Sequence, residues 1–232
     1  MIDEKYQFVL AVIPARGGSK GIPKKNIKDL CGKALISYTI EQAIAARLVS
    51  KVVVSTDCDE IAKVCEIYPE VEVVIRPKEL ASDTAKTEQA LIHACDYIQE
   101  SHGINIDVVV TLEPTSPFRT SDSIDKCVSI YLEGKGDAVV TVVPFTDILG
   151  RIVDNSYVHL IPNQPRRRQE REILYKESST IYCTNVLSLK KYNSVLGSKC
   201  VPVVIKEEES FDINEQLDFD LAEALVNSRR QK

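Results

Sequence analysis

Glycine and proline are few and scattered, 9 and 10 in 232 residues, which excludes collagen-like and low-complexity architectures. An excess of positive charge is missing too. The formal net charge is −5, which argues against a dedicated nucleic-acid binder, whose affinity rests on a basic surface. The longest uninterrupted apolar run, Phe8 to Ile13, is far too short to cross a bilayer, so no membrane association is expected. The opening MIDEKYQ carries two acids and no apolar core, and does not read as a secretory signal. Seven cysteines stand at 31, 58, 65, 95, 127, 183 and 200, with no C-x-x-C pair and no Cys/His cluster at metal-ligand spacing. Neither a zinc site nor a disulfide framework is expected, and the cysteines read as small hydrophobes. The histidines, His93, His102 and His159, lie apart, and no Ser/His/Asp constellation is visible. What remains, at 44% hydrophobic and 27% charged, is an ordinary soluble globular chain with a substantial core, expected in the reducing cytoplasm.

Short β-branched runs alternate with helix-period stripes. Phe8–Pro14, Lys51–Thr56, Val71–Ile75, Asp107–Leu112 and Asp137–Val143 read as strands. Between them, apolar residues recur at helical spacing through Ile36/Ile40/Ala43/Ile44, Ile61/Val64/Cys65, Ala90/Leu91/Ala94/Ile98 and Ile124/Val128. Such alternation predicts an α/β fold with a doubly wound, mainly parallel sheet and right-handed crossovers. Ser179–Val186 and Val201–Lys206 read as further strands and Leu217–Val226 as a terminal helix. Residues 144–178, polar and rich in Arg and Pro, read as an excursion from the sheet, too long for an ordinary turn. One domain, 1–232, is expected.

In open α/β sheets ligands bind at the carboxyl ends of strands near a topological switch point, so chemistry is sought there. Directly after the first strand comes Ala15-Arg16-Gly17-Gly18-Ser19-Lys20-Gly21, followed by Lys24-Lys25-Asn26. Glycines let a backbone approach phosphate oxygens, and Arg16, Lys20, Lys24 and Lys25 supply matching charge. The spacing fits neither G-x-x-x-x-G-K-[ST] nor G-x-G-x-x-G. A plain strand-to-helix turn with solvated lysines is the competing reading.

The string IPARGGSKGIPKKN (13–26) resembles the N-terminal signature of acylneuraminate cytidylyltransferases, which make CMP-sialic acid and its legionaminic and pseudaminic relatives. Four more blocks resemble the family in order: VSTD (54–57), RPKELASDT (76–84), LEPTSPFR (112–119) and Arg167-Arg168-Gln169. Phe211-Asp212-Ile213-Asn214 stands where the family has a D-I-D metal motif. The resemblance implies a nucleotide-diphospho-sugar-transferase-like fold and transfer of CMP from CTP to the anomeric hydroxyl of a nonulosonic acid, with release of pyrophosphate and help from Mg2+. It also implies a homodimer in which the 144–178 segment reaches the partner's site.

The same resemblance assigns roles. Ala15, Arg16, Gly17, Gly18, Ser19, Lys25 and Asn26 would hold the nucleotide, and Arg76, Ser82, Asp83 and Thr84 would form the wall that reads cytosine. Glu113, Ser116, Arg168, Gln169 and Tyr182 would face the sugar, and Asp212 and Asn214 the metal. Arg16, Lys25 and Asp212 would carry catalysis. Plainer readings stand beside these. Asp83 or Thr84 could cap the helix through Ala90, Asn214 could cap the helix through Leu217, and residues 166–171 could form a solvated face. Asp218 and Asp220 read as partners of the last helix's dipole rather than ligands.

Glu113 replaces a family Gln, Asn214 a family Asp, and Ser178-Ser179 a family Asn-Gly. The first and third departures point to a modified nonulosonic acid or another 2-keto-3-deoxy acid. The alternatives are a nucleotidyltransferase for another acceptor, such as a 3-deoxy-octulosonic acid, and a non-catalytic nucleotide-sugar-binding relative.

Overall fold

The computed structural model describes residues 7–19 and 21–230. Lys20 and the acidic opening through Tyr6 lie outside the described residues. In chain order the elements are β1 (Val9–Pro14), α1 (Leu35–Ala45), β2 (Lys51–Thr56), α2 (Asp59–Cys65), β3 (Val71–Ile75), α3 (Thr87–His102), β4 (Val108–Thr111) and α4 (Ser121–Leu132). There follow β5 (Ala138–Phe145), β6 (Gly150–Val153), β7 (Ser156–His159), β8 (Leu174–Asn185), α5 (Val186–Tyr192), β9 (Cys200–Val204) and α6 (Gln216–Arg230). The central sheet has the order β3-β2-β1-β4-β8-β5-β9. Every neighbouring pair is parallel except those made by β8, which runs antiparallel between β4 and β5.

Alternation within each strand builds the two layers. Val9, Ala11 and Ile13 of β1 join Val52 and Val54 of β2 and Val108 and Val110 of β4 in one core, covered by α1, α2 and α4. Leu10, Val12, Val53 and Val109 point the other way and meet Leu91, Ala94, Cys95 and Ile98 of α3 and Val186 and Leu189 of α5. Burial on both faces is why these strands read as continuous apolar runs. The cysteines at 65, 95, 127 and 183 are buried free thiols that fill this packing. Helix ends follow local chemistry. Asn185 accepts from the Leu187 and Ser188 N–H groups at the start of α5, and Gly103, at φ 64°, ends α3. α6 presses Phe219, Ala222 and Val226 onto a third cluster with Ile22, Leu30, Leu35 and Phe118.

The second half of the chain departs from the sequence reading. The ends of the expected 144–178 excursion are sheet: β5 runs through Phe145, and Leu174–Glu177 of β8 pair back onto it. Between them β6 and β7 form an antiparallel hairpin. In addition, β8 bulges where Val140 pairs Tyr182 but Val142 pairs Glu177. The Thr141 hydroxyl fills the gap, 3.1 Å from the Ser178 and Ile181 carbonyl oxygens and accepting from the Ile181 N–H. Ser178 is buried there, its Oγ 2.5 Å from Thr180 Oγ1.

Arg119 is the largest fully buried side chain. Its Nε donates to the Thr180 carbonyl at 2.8 Å, Nη2 to the Glu113 carbonyl at 2.8 Å, and Nη1 to Thr39 Oγ1 at 3.0 Å. It thereby joins α1, the loop after β4 and the β8 bulge, and burial lowers its guanidinium to about 9, with Glu113 and Asp212 acting the other way. Arg119→Met would leave both carbonyls and the hydroxyl without this partner. We expect it to lose about 3 kcal/mol or more of stability in urea denaturation.

Candidate functional site

In the sheet, β1 is followed outward by β2 and β3 on one side and joined by β4 on the other. The topological switch therefore falls between β1 and β4, and a cleft of about 410 Å³ opens at their carboxyl ends. Arg16 and Lys25 enter it from the loop after β1, Glu113 from the loop after β4, and Arg76 from the end of β3. Ser82 and Asp83 form the facing wall, and Asn214 closes the side below α6.

The loop after β1 is fastened at several points. Gly17 N–H donates to Asp57 Oδ1 at 2.9 Å, and a Cβ on Gly17 would stand 2.8 Å from Cys58 Cβ, so only glycine fits without displacement. Buried Asn26 donates through Nδ2 to the Arg16 carbonyl at 3.0 Å, while its Oδ1 has no hydrogen-bond partner among the described residues. Arg16 Nη1 meets Asp83 Oδ1 at 2.9 Å across the cleft. Lys25 Nζ donates to the Ile213 carbonyl at 2.6 Å. Burial lowers the Lys25 ammonium below the ordinary lysine range, and Asp212 and Glu113 act against that shift. Arg76 is buried, its Nε without a partner among the described residues; burial lowers its guanidinium and Asp57 opposes this.

On the other side, Asp212 Oδ1 is a buried oxygen without a partner among the described residues, while Oδ2 accepts from Asn214 Nδ2 at 2.9 Å. One carboxylate oxygen held ready beside an amide suits a magnesium ion, which takes one or two protein oxygens and fills its octahedron with phosphates and water. Among the described residues no cluster of three or more His, Cys, Asp or Glu could enclose a metal alone. A metal here would therefore depend on the ligand's own oxygens.

Neither capping alternative holds. α3 begins at Thr87 after Lys86, with no side-chain cap, so neither Asp83 nor Thr84 caps it. Asn214 does not cap α6 either: its side chain goes to Asp212, and the N–H groups of Asn214 and Glu215 go to Asp218 Oδ2 at 2.8 and 2.9 Å. Asp218 serves the helix start, as its position suggested. Arg168 and Gln169 are not among the described residues that line this cleft. They lie in the segment after β7, where Arg168 Nε donates to Thr146 Oγ1 at 2.7 Å. Ala15 and Ser116 are fully buried beneath the loops that carry Arg16 and Glu113, and the Ser116 hydroxyl has no partner among the described residues. Gly18, by contrast, meets nothing where a Cβ would stand. Tyr182, on β8, donates to Glu177 Oε1 at 2.9 Å, and burial with that neighbour raises its phenol.

Two residues of the motifs, Asp57 of VSTD and Arg119 of LEPTSPFR, take part in the frame without a role that the sequence assigns. The signal for Asp57 was its place: it follows β2, whose end lies in register with the end of β1. An acid there stands beside the glycine loop.

A sequence profile described as cytidylyltransferase matches residues 10–229. The chain belongs to the cytidylyltransferase family. It is 32% identical to a CMP-N,N'-diacetyllegionaminic acid synthase of Legionella pneumophila, over 96% of this chain and 98% of that protein. It is 31% identical to an N-acylneuraminate cytidylyltransferase of Escherichia coli, over 97% of this chain and 54% of that longer protein. In fold it resembles a CMP:2-keto-3-deoxy-manno-octonic acid synthetase solved with CTP, with a TM-score of 0.72 at 15% identity, covering 96% of this chain and 100% of the other. The family and these relatives make the chain a CTP-dependent nucleotidyltransferase.

Glu113 sets a pH dependence in this cytidylyltransferase. Burial pushes its carboxyl up to about 7, Arg119 opposing and Asp212 adding to the shift. The unfolded value is near 4.3, so the folded state holds the proton more tightly and loses stability as pH rises from about 4 to about 7. Glu113→Gln is expected to be more stable than the parent by about 1–3 kcal/mol at about pH 8 and nearly equal at about pH 4.5, by urea denaturation at both.

Proposed function

We propose that this cytidylyltransferase transfers CMP from CTP to the anomeric hydroxyl of a nonulosonic acid related to legionaminic acid, releasing pyrophosphate. The observation that carries the reading is the convergence of Arg16, Lys25 and Arg76 on one cleft beside the half-free carboxylate of Asp212. The acceptor hydroxyl attacks the α-phosphorus in line and pyrophosphate departs, so catalysis is mainly positioning and charge neutralisation. Arg16 and Lys25 neutralise phosphate oxygens, with Gly18 and Ser19 giving the loop close approach. Arg76 donates to the acceptor atoms of the pyrimidine. Asp212, with the Asn214 amide, would hold magnesium, which supplies further neutralisation of phosphate charge when bound.

Glu113 and the Ser178-Ser179 pair support an acceptor other than standard sialic acid. Glu113 brings an acid into the cleft, and Ser178 is folded into the β8 bulge instead of presenting an amide. The free thiols suit a reducing cytoplasm.

The hairpin arm supports a homodimer. Ile152 is 78% exposed, Tyr157 59% and Ile173 58%, and such a concentration of bare apolar side chains calls for a covering surface. Arg168, not among the residues that line its own cleft, would then serve the partner's, where its fork suits a sugar carboxylate.

Two measurements check this reading. With CTP and magnesium, pyrophosphate release is expected with a legionaminic-type acid at higher kcat/KM than with N-acetylneuraminate or an octulosonic acid, and Asp212→Ala should reduce it at least about a hundredfold. Saturable CTP binding with no release for any sugar would favour a non-catalytic role. Light scattering at micromolar concentration should give a dimer, and Ile152→Glu a monomer.

A further inference from the structure

Among the described residues, two carboxylates hold the Arg16–Gly17 stretch of the loop after β1. Asp57 accepts from Gly17 N–H at 2.9 Å, and Asp83 accepts from Arg16 Nη1 at 2.9 Å. They differ in kind. Asp57 comes from the end of β2 beneath the loop and also acts on buried Arg76, so it belongs to the frame. Asp83 comes from the opposite wall, in the irregular stretch between Ala81 and α3, where Ala85 N–H bonds to the Ser82 carbonyl at 3.2 Å. Arg16 Nη1 also lies 3.4 Å from the Ser82 carbonyl oxygen. The ion pair is open to solvent, with side chains 36% and 54% exposed, and such pairs are weak enough to exchange. Asp83 caps no helix, since α3 starts after Lys86 without a side-chain cap, so α3 does not depend on it.

An anion that arrives at Arg16 meets a guanidinium whose Nη1 is already held by Asp83, and the two negative charges repel each other there. We propose that Asp83 is a specificity-determining internal anion that competes with the ligand's phosphate chain for Arg16. A single carboxylate gives way to a triphosphate, which carries several charges and reaches Lys25 as well. It resists weaker anions that meet Arg16 alone, and it returns to Arg16 as pyrophosphate leaves. This rests on Arg16 binding phosphate, as in the proposed function. It differs from the reading of Asp83 as part of the cytosine wall, because competition for Arg16 predicts tighter phosphate binding when the charge is removed.

The test compares the full-length parent with Asp83→Asn, using calorimetric titration with tripolyphosphate, pyrophosphate, cytidine and CTP. Tripolyphosphate and pyrophosphate are expected to bind about two- to fivefold more tightly to Asp83→Asn, the range an exposed pair can contribute. Cytidine should be unchanged, and the gain should shrink at high salt. In an Arg16→Gln background, Asp83→Asn should give a clearly smaller gain for tripolyphosphate. Equal or weaker tripolyphosphate binding to Asp83→Asn overturns the proposal, as does weakened cytidine binding or a gain that is undiminished in Arg16→Gln. A parent that binds tripolyphosphate but not CTP would sink the nucleotide reading while leaving the competition for Arg16 measurable.

Discussion

Everything in the cleft depends on the parallel register of β1 with β2 and β4. Pro14 stands opposite Ser55 and Val12 opposite Thr111, so the loops that leave these strands emerge together at one end of the sheet. That register is enforced from within. A slip of one residue would exchange the faces of Val9, Ala11 and Ile13 with those of Leu10 and Val12, and each set fits a different helical layer. The apolar pattern of three strands thus fixes where Arg16, Asp57 and Glu113 sit, although none of these belongs to the core.

The second half of the sheet solves a different problem. β8 runs against its neighbours because the chain leaves β5 for the hairpin arm and must return beside it. The return is irregular, and the buried polar groups this leaves are paired by side chains. Thr141 fills the bulge, Thr180 Oγ1 donates to the Glu209 carbonyl at 3.1 Å, and Arg119 reaches the Thr180 carbonyl from below. These bonds connect the segment before Asp212 to the loop that carries Glu113. An unpaired polar group costs more at such depth than at the surface, so satisfying the bulge also fixes the distance between the two sides of the cleft.

The strands Lys51–Thr56 and Val71–Ile75 were legible to the residue because burial makes their composition uniform, and the four central helices because their stripes are regular. The hairpin was not. Its apolar residues, among them Ile152, Tyr157 and Val158, are exposed in the single chain and interleaved with polar ones, so they carry no core signature. Helix α5 was missed because its seven residues follow β8 without a break and show too short a stripe. At the site, the glycine loop and the residues facing it were readable from their positions after strands. The capping alternatives fail because Asp83 and Asn214, good capping residues in the right place by sequence, are taken up by the carboxylates, amides and guanidinium of the cleft. Which acid pairs with which base depends on tertiary approach, and spacing alone does not encode that.

Among the described residues, the cleft sets cations against acids: Arg16, Lys25, Arg76 and Lys86 stand among Asp57, Asp83, Glu113 and Asp212. That balance permits so many cations to gather without the fold bearing their full repulsion. It also means that a phosphate chain entering the cleft rearranges contacts within the protein. Lys25 shows how far this reaches, because its ammonium rests on the Ile213 carbonyl, between Asp212 and Asn214. An ammonium drawn toward phosphate must loosen or redirect that bond. That one bond joins the loop after β1 to the segment that carries Asp212 and Asn214, the two sides of the cleft.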